Sequence, residues 1–180
     1  MLLKLLKAKI LITFLSACIS LILAIIGMRA LFPQKYQADI ESACSRTELS
    51  PTLISAIIKA ESSFKKDKIS SKGAIGLMQI MPDTASYVSQ LYFGGVEFDL
   101  FNEKDNVLLG VSYLAYLFDK FEDKKTALSA YNAGEGRVYE WLLDKNYSSN
   151  GKTLDKIPFK ETDDYVKKVI FYEKVYNLLY

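Results

Sequence analysis

A glutamate closes the aliphatic stretch ISAIIKAE at residues 54–61, and a carboxyl group in that setting is a candidate proton donor. At helical spacing Ile54, Ile57, Ile58 and Glu61 share one face, because residues three, four and seven apart stack along a helix. An apolar face is driven to the core. A carboxyl carried with it loses hydration, which raises its pKa toward neutrality. On position alone the simpler reading is a helix end whose side chain bends back to water. Histidine is absent from all 180 residues, which excludes Ser-His-Asp and Cys-His nucleophile systems and any imidazole-built zinc site. Catalysis would have to run on carboxylates, tyrosines, lysines or bound ions.

Four stretches stand out as motifs: AESSF at 60–64, GAIGLMQIMP at 73–82, AYNAG at 130–134 and IPFKETDDYV at 157–166. A cleft for a polar ligand needs amides and phenols on rigid stems. Gln79, Tyr131, Asn132 and Tyr165 supply these. Gly73, Gly76 and Gly134 suit sharp turns or close backbone approach. Plainer readings exist for several of these residues. Met78 and Met81 could be core filler, Tyr131 could be core with its hydroxyl at the surface, and Gly134 and Gly136 could simply end a helix.

Taken together and in this order, the four stretches resemble the lysozyme-like catalytic domain of soluble-lytic-transglycosylase type, enzymes that cut the glycan strand of peptidoglycan. The resemblance runs from about Gln37 to the C-terminus. It implies Glu61 as the catalytic acid, and Ser70 as the serine lying near that carboxylate. It implies that Gln79 and Met81 line the saccharide cleft, that Tyr131 and Asn132 face the reacting sugar, and that Tyr165 hydrogen-bonds near the acid. Lys72 stands where the family usually has a small residue, at a loop position. No metal and no cofactor is expected.

The resemblance also implies one-carboxylate chemistry, with Glu61 acting first as acid and then as base to leave a 1,6-anhydro ring on N-acetylmuramic acid. Ordinary glycosidases use two carboxylates across the bond. Asp67, Asp83, Glu97, Asp99 and Glu135 are conceivable partners, but none has an apolar or motif setting. Hydrolysis of the same bond by a lysozyme-like muramidase stays open, as does a non-catalytic peptidoglycan-binding module.

The elements that must position these residues are helical throughout. The expected class is mostly α (lysozyme-like, formally α+β), one globular domain behind a transmembrane helix. The spacing predicts helices over 37–47, 51–64, 82–92, 106–121, 126–131, 137–143 and 161–179, with Ser50 and Pro51 as a strong start signal. Ahead of them, Ile10 to Met28 holds no charge and would rise about 28 Å as a helix, close to a bilayer's hydrocarbon thickness. Lys4, Lys7 and Lys9 precede this run, which favours a cytoplasmic amino end.

The expected division is 1–9 cytoplasmic basic segment, 10–28 transmembrane anchor, 29–36 linker and 37–180 extracytoplasmic domain, in a bacterial cytoplasmic membrane. LSAC at 15–18 resembles a lipoprotein attachment box, but ten more residues of apolar run follow Cys18, which favours an anchor. Cys18 and Cys44 are the only cysteines, and no disulfide between them is expected. Residues 30–180 carry 19 Lys+Arg against 21 Asp+Glu. No nucleic-acid surface is expected. The expected partners are glycan strands and the membrane.

Overall fold

The computed structural model of the chain describes the backbone of residues 1–180 and the side chains of all but residues 2–5 and 8. Lys4, one of the three lysines ahead of the apolar run, lies outside the described side chains. Two compact units result: residues 1–33 with 178–180, and residues 34–177.

In the first unit, α1 (Leu2–Leu31) runs past Met28. Arg29, Ala30 and Leu31 are compatible with helix, and Pro33 is the first residue that cannot continue one. The stretch Lys9–Leu31 has 23 residues and a mean hydropathy of 2.7, with none of its most apolar window buried. It is long and apolar enough to cross a membrane. Near its end the Arg29 guanidinium donates to the Leu179 carbonyl at 2.9 Å and lies 5.1 Å over the Tyr180 ring. The Tyr180 hydroxyl donates to the Phe32 carbonyl.

In the second unit, each helix begins where the chain supplies a cap and ends where it supplies a break. The short α2 (Gln37–Cys44) buries Ile40, Ala43 and Cys44, and stops three residues short of the expected end. The central α3 spans Pro51–Glu61, with the Ser50 hydroxyl accepting from the Leu53 amide and Pro51 in the first turn. It ends at Glu61, not Phe64, because Ser63 and Phe64 adopt left-handed backbone (φ 52° and 63°). Ile54, Ile57 and Ile58 are fully buried. At about 1.5–3 kcal/mol for each such side chain, this face fixes the rotation of α3.

The α3–α4 connection carries two isolated β-bridges, Ile69 to Ile75 and Ile75 to Ile80, and the described residues form no longer strand. α4 (Pro82–Tyr92) follows. α5 (Glu103–Lys120) starts earlier than its apolar pattern suggests, because Asn102 caps it by accepting from the Asp105 amide. α6 (Lys124–Ala133) is capped in the same way by Asp123. Gly134, at φ +89°, separates it from α7 (Glu135–Leu143). The closing α8 spans Lys160–Leu179 and buries Tyr165, Val166, Val169 and Tyr176.

α5 packs against α2, α4 and α6. From it a single buried side chain shapes the loop ahead of α4. The Asn106 Oδ1 accepts from the Met78 amide at 2.8 Å, and its Nδ2 donates to the Ile75 and Leu100 carbonyls at 2.9 Å each. Gly76 sits in this stitch with φ +82°, where a Cβ would lie 2.6 Å from the Leu100 oxygen and overlap the Asn106 amide. Gly110 of α5 performs a related service. A Cβ there would lie 2.8 Å from that of Met78, so the glycine is the seat that lets Met78 enter the core.

Candidate active site

Glu61 is the last residue of α3. Its apolar neighbours bring it to the edge of the core, where it is half-buried on the wall of a cleft of about 480 Å³. Ser70, Gln79, Met81, Tyr131 and Asn132 line the same cleft. Tyr165 does not line it. Its ring is buried behind Glu61, with the phenol close enough to draw down the carboxyl's pKa, yet its hydroxyl makes no aligned hydrogen bond.

Burial dominates the electrostatics. Loss of hydration lifts the Glu61 carboxyl from 4.5 to about 7, against the opposing pull of the Tyr165 phenol and the Lys68 and Lys168 ammonium groups. Burial, and then the charge of Glu61, push the Tyr131 and Tyr165 phenols well above their ordinary range. Both therefore stay neutral donors at any pH where Glu61 titrates.

The polar side chains divide their hydrogen-bonding capacity between fold and cleft. The Gln79 amide nitrogen donates to the Lys68 and Gly76 carbonyls at 3.0 and 2.9 Å, which holds a residue with φ 51° in place. Its carbonyl oxygen is the atom left for a ligand. The Ser70 hydroxyl accepts from the Ala74 and Lys72 amides at 2.9 and 3.3 Å, so its own proton is available to donate. The Tyr131 hydroxyl donates to the Met78 carbonyl at 2.9 Å. Asn132 is half-buried and its side chain makes no hydrogen bond among the described residues. The two methionines part company: Met78 is fully buried, whereas Met81 is 39% exposed at the cleft lip.

Several cleft residues were not among the expected site. Tyr113 belongs to the apolar stripe of α5, yet it is half-buried in the cleft with its ring 5.7 Å from that of Tyr131. Burial raises its pKa to about 12. Lys72, set aside as a loop position, lines the cleft with Thr84. Glu161, at the start of α8, is the second carboxylate of the cleft among the described residues. None of Asp67, Asp83, Glu97, Asp99 and Glu135 lines it, and Glu135 is paired with Lys120 at 3.4 Å. A larger groove of about 880 Å³ lies against Leu49, Leu53 and Leu108. Its most buried acid, Glu173, is neutralised by Lys124 at 2.5 Å, so volume alone does not mark the chemistry.

The family model described as "Transglycosylase SLT domain" matches residues 39–154. The chain is 35% identical over 151 residues to the soluble lytic murein transglycosylase of Escherichia coli K12, covering 81% of this chain and 23% of that protein. It is 38% identical over 117 residues to membrane-bound lytic murein transglycosylase C of Histophilus somni, covering 58% and 32%. Among solved structures it is similar to the 70 kDa soluble lytic transglycosylase of Escherichia coli, with a TM-score of 0.72 at 31% identity, covering 84% of this chain and 25% of that one. An inactive mutant of the lytic transglycosylase Slt from Pseudomonas aeruginosa gives a TM-score of 0.70 at 33% identity, covering 82% and 24%. The chain thus spans about a quarter of the length of the soluble relatives it matches.

Proposed function

Because the chain belongs to the transglycosylase SLT domain family, we propose that it cleaves the β-1,4 bond between N-acetylmuramic acid and N-acetylglucosamine in peptidoglycan. The observation that carries this is the Glu61 carboxyl. Raised to about 7, it keeps a large protonated fraction at neutral pH while facing a cleft lined with amide and hydroxyl groups.

In the proposed reaction Glu61 gives its proton to the glycosidic oxygen as the bond from that oxygen to C1 of the muramic acid breaks. The sugar's acetamido group stabilises the resulting cation. The Glu61 carboxylate then takes the proton of the sugar's 6-hydroxyl as its oxygen bonds to C1. The products are a free 4-hydroxyl and a 1,6-anhydro ring, no water is consumed, and Glu61 ends protonated. Gln79, Asn132 and Ser70 hold sugar hydroxyls and amides, and Met81 supplies an apolar lip. Tyr165, neutral throughout, steadies the carboxyl in its charged interval, and Tyr131, its hydroxyl held by the Met78 carbonyl, presents its ring to the sugar. No cofactor enters any step.

One observation favours a second reading. Glu161 lies in the same cleft, and a second carboxylate is what a water-activating hydrolase requires. The two readings part on product mass, because a reducing end carries one more water than an anhydro end. Mass analysis of fragments released from purified peptidoglycan should find anhydro ends, and reducing ends alone would establish hydrolysis. Glu61→Gln keeps shape but cannot transfer a proton, so cleavage should fall by ~10²–10⁴-fold or more while glycan binding survives. Cleavage at the parent rate would move the acid elsewhere and end this assignment.

The N-terminal helix is proposed to anchor the enzyme, with residues 1–9 cytoplasmic, 10–28 spanning the membrane, 29–36 as linker and 37–180 outside. Support comes from the apolar Lys9–Leu31 stretch and from the lysines that precede its core.

A further inference from the structure

We propose that Lys68 is a positioning residue for this reaction, one that ties the end of the acid's helix to the glycan-facing amide of Gln79 and sets its ammonium charge beside the reacting carboxyl. The proposal rests on Glu61 being the acid assigned above. Its basis is a chain of contacts through one exposed residue. The Lys68 ammonium donates to the main-chain carbonyl of Glu61. The Lys68 carbonyl, in turn, accepts from the Gln79 side-chain nitrogen at 3.0 Å and from the Gly76 amide at 2.9 Å.

Each end of this chain answers a physical need. Glu61 is the last residue of α3, and the final carbonyls of a helix have no partner within it. A cation at that end satisfies such a carbonyl and complements the helix dipole. At the other end Gln79 has φ 51°, a conformation that asks for an external tether in a non-glycine residue. The Lys68 carbonyl is one of its two tethers. Acid and amide are therefore held to a common post, and the post carries a positive charge beside the reacting carboxyl.

That charge has company. Lys168 and Tyr165 act on Glu61 from α8 in the same sense as Lys68. Tyr131 faces it from α6 as a neutral phenol. Tyr113, Lys72 and Glu161 complete the titratable lining of the cleft. Among these the contacts single out Lys68, because its ammonium also grips the Glu61 main chain.

Two variants of the full chain test this. Lys68→Gln keeps a donor and removes the charge, whereas Lys68→Arg keeps both. A nearby cation favours the carboxylate, so its loss raises the Glu61 pKa. The alkaline limb of the pH–kcat profile should move upward in Lys68→Gln, by about half a pH unit for a unit charge at partly screened range, and Lys68→Arg should restore the parent limb. Parent and Lys68→Gln limbs that coincide, or an arginine variant that follows the glutamine variant, would overturn the proposal. If Lys68→Gln does not fold, carboxyl carbon NMR titration of Glu61 in Lys68→Met, which also removes the charge, decides. A raised Glu61 pKa supports the charge role, and one equal to the parent's removes it. Failure of the parent to cleave peptidoglycan would count against the assigned reaction instead. The NMR titration of Glu61 reads the Lys68 effect whether or not the chain is active.

Discussion

Tyr165 brings a phenol to the Glu61 carboxyl without an aligned partner of its own, so in the proposed reaction its hydroxyl serves the acid more than the fold. Tyr165→Phe should leave folding stability unchanged or slightly raised, because removing an unsatisfied buried donor relieves a penalty. Turnover should fall by about 10- to 100-fold, the worth of one hydrogen bond to a charged group in the transition state. The phenol lowers the Glu61 pKa, so the alkaline limb of the activity profile should move up in this variant. Steady-state rates across pH 5–9 would register both effects, and parent-like turnover would remove Tyr165 from the site. The Glu61→Gln variant carries a stability signature as well. The folded pKa of about 7 exceeds the ordinary 4.5, so the native state keeps a proton that the unfolded chain releases. This contribution is fully present below pH 4.5 and is lost as pH rises through 7. The gap in unfolding midpoint between Glu61→Gln and its parent should therefore widen in the variant's favour from pH 5 to 8.

Helix by helix, the decisive link between core and cleft is the buried amide of Asn106 on α5, which holds the 75–80 loop through two hydrogen bonds and ties it to the Leu100 carbonyl through a third. Asn106→Leu should destabilise the fold by about 2–4 kcal/mol, because the Met78 amide loses its buried acceptor and the Ile75 and Leu100 carbonyls each lose a donor. Urea unfolding measures this, and a change within about 0.5 kcal/mol would mean the loop keeps its shape without the stitch. The helices themselves were legible because period and caps agree: Ser50 and Pro51 start α3, and the isoleucines fix its face. Boundaries slipped where backbone choices override pattern, as at Ser63 and Phe64, or where a cap lies before the apolar stripe, as at Asn102. Glu61, Ser70, Gln79, Met81, Tyr131 and Asn132 could be gathered from motif order before any fold was known. Tyr113 could not, since its spacing on α5 marks it as core and only the place where that stripe surfaces makes it a wall. Glu161 carries no signal in the sequence beyond being a charge at a helix start. Its place in the cleft depends on how α8 returns across the domain, which no local pattern encodes.

At the scale of the chain, one unit holds an exposed apolar helix and the other holds the cleft. If α1 is an anchor with its lysine-rich end in the cytoplasm, a reporter fused after Tyr180 should behave as exported, and labelling of that end only from the cytoplasmic side would refute the orientation. Within the second unit, the cleft draws on widely separated parts of one sequence. Glu61 is joined there by Tyr131, 70 positions later, and backed by Tyr165, 104 positions later. Helical turns form in microseconds, whereas such distant contacts must wait for loop closure. Until those contacts close, Glu61 stands on a solvated helix as an ordinary carboxylate with no proton to give at neutral pH. Under the proposed reaction competence thus arrives only with the closed fold, and a chain still being made carries its acid disarmed.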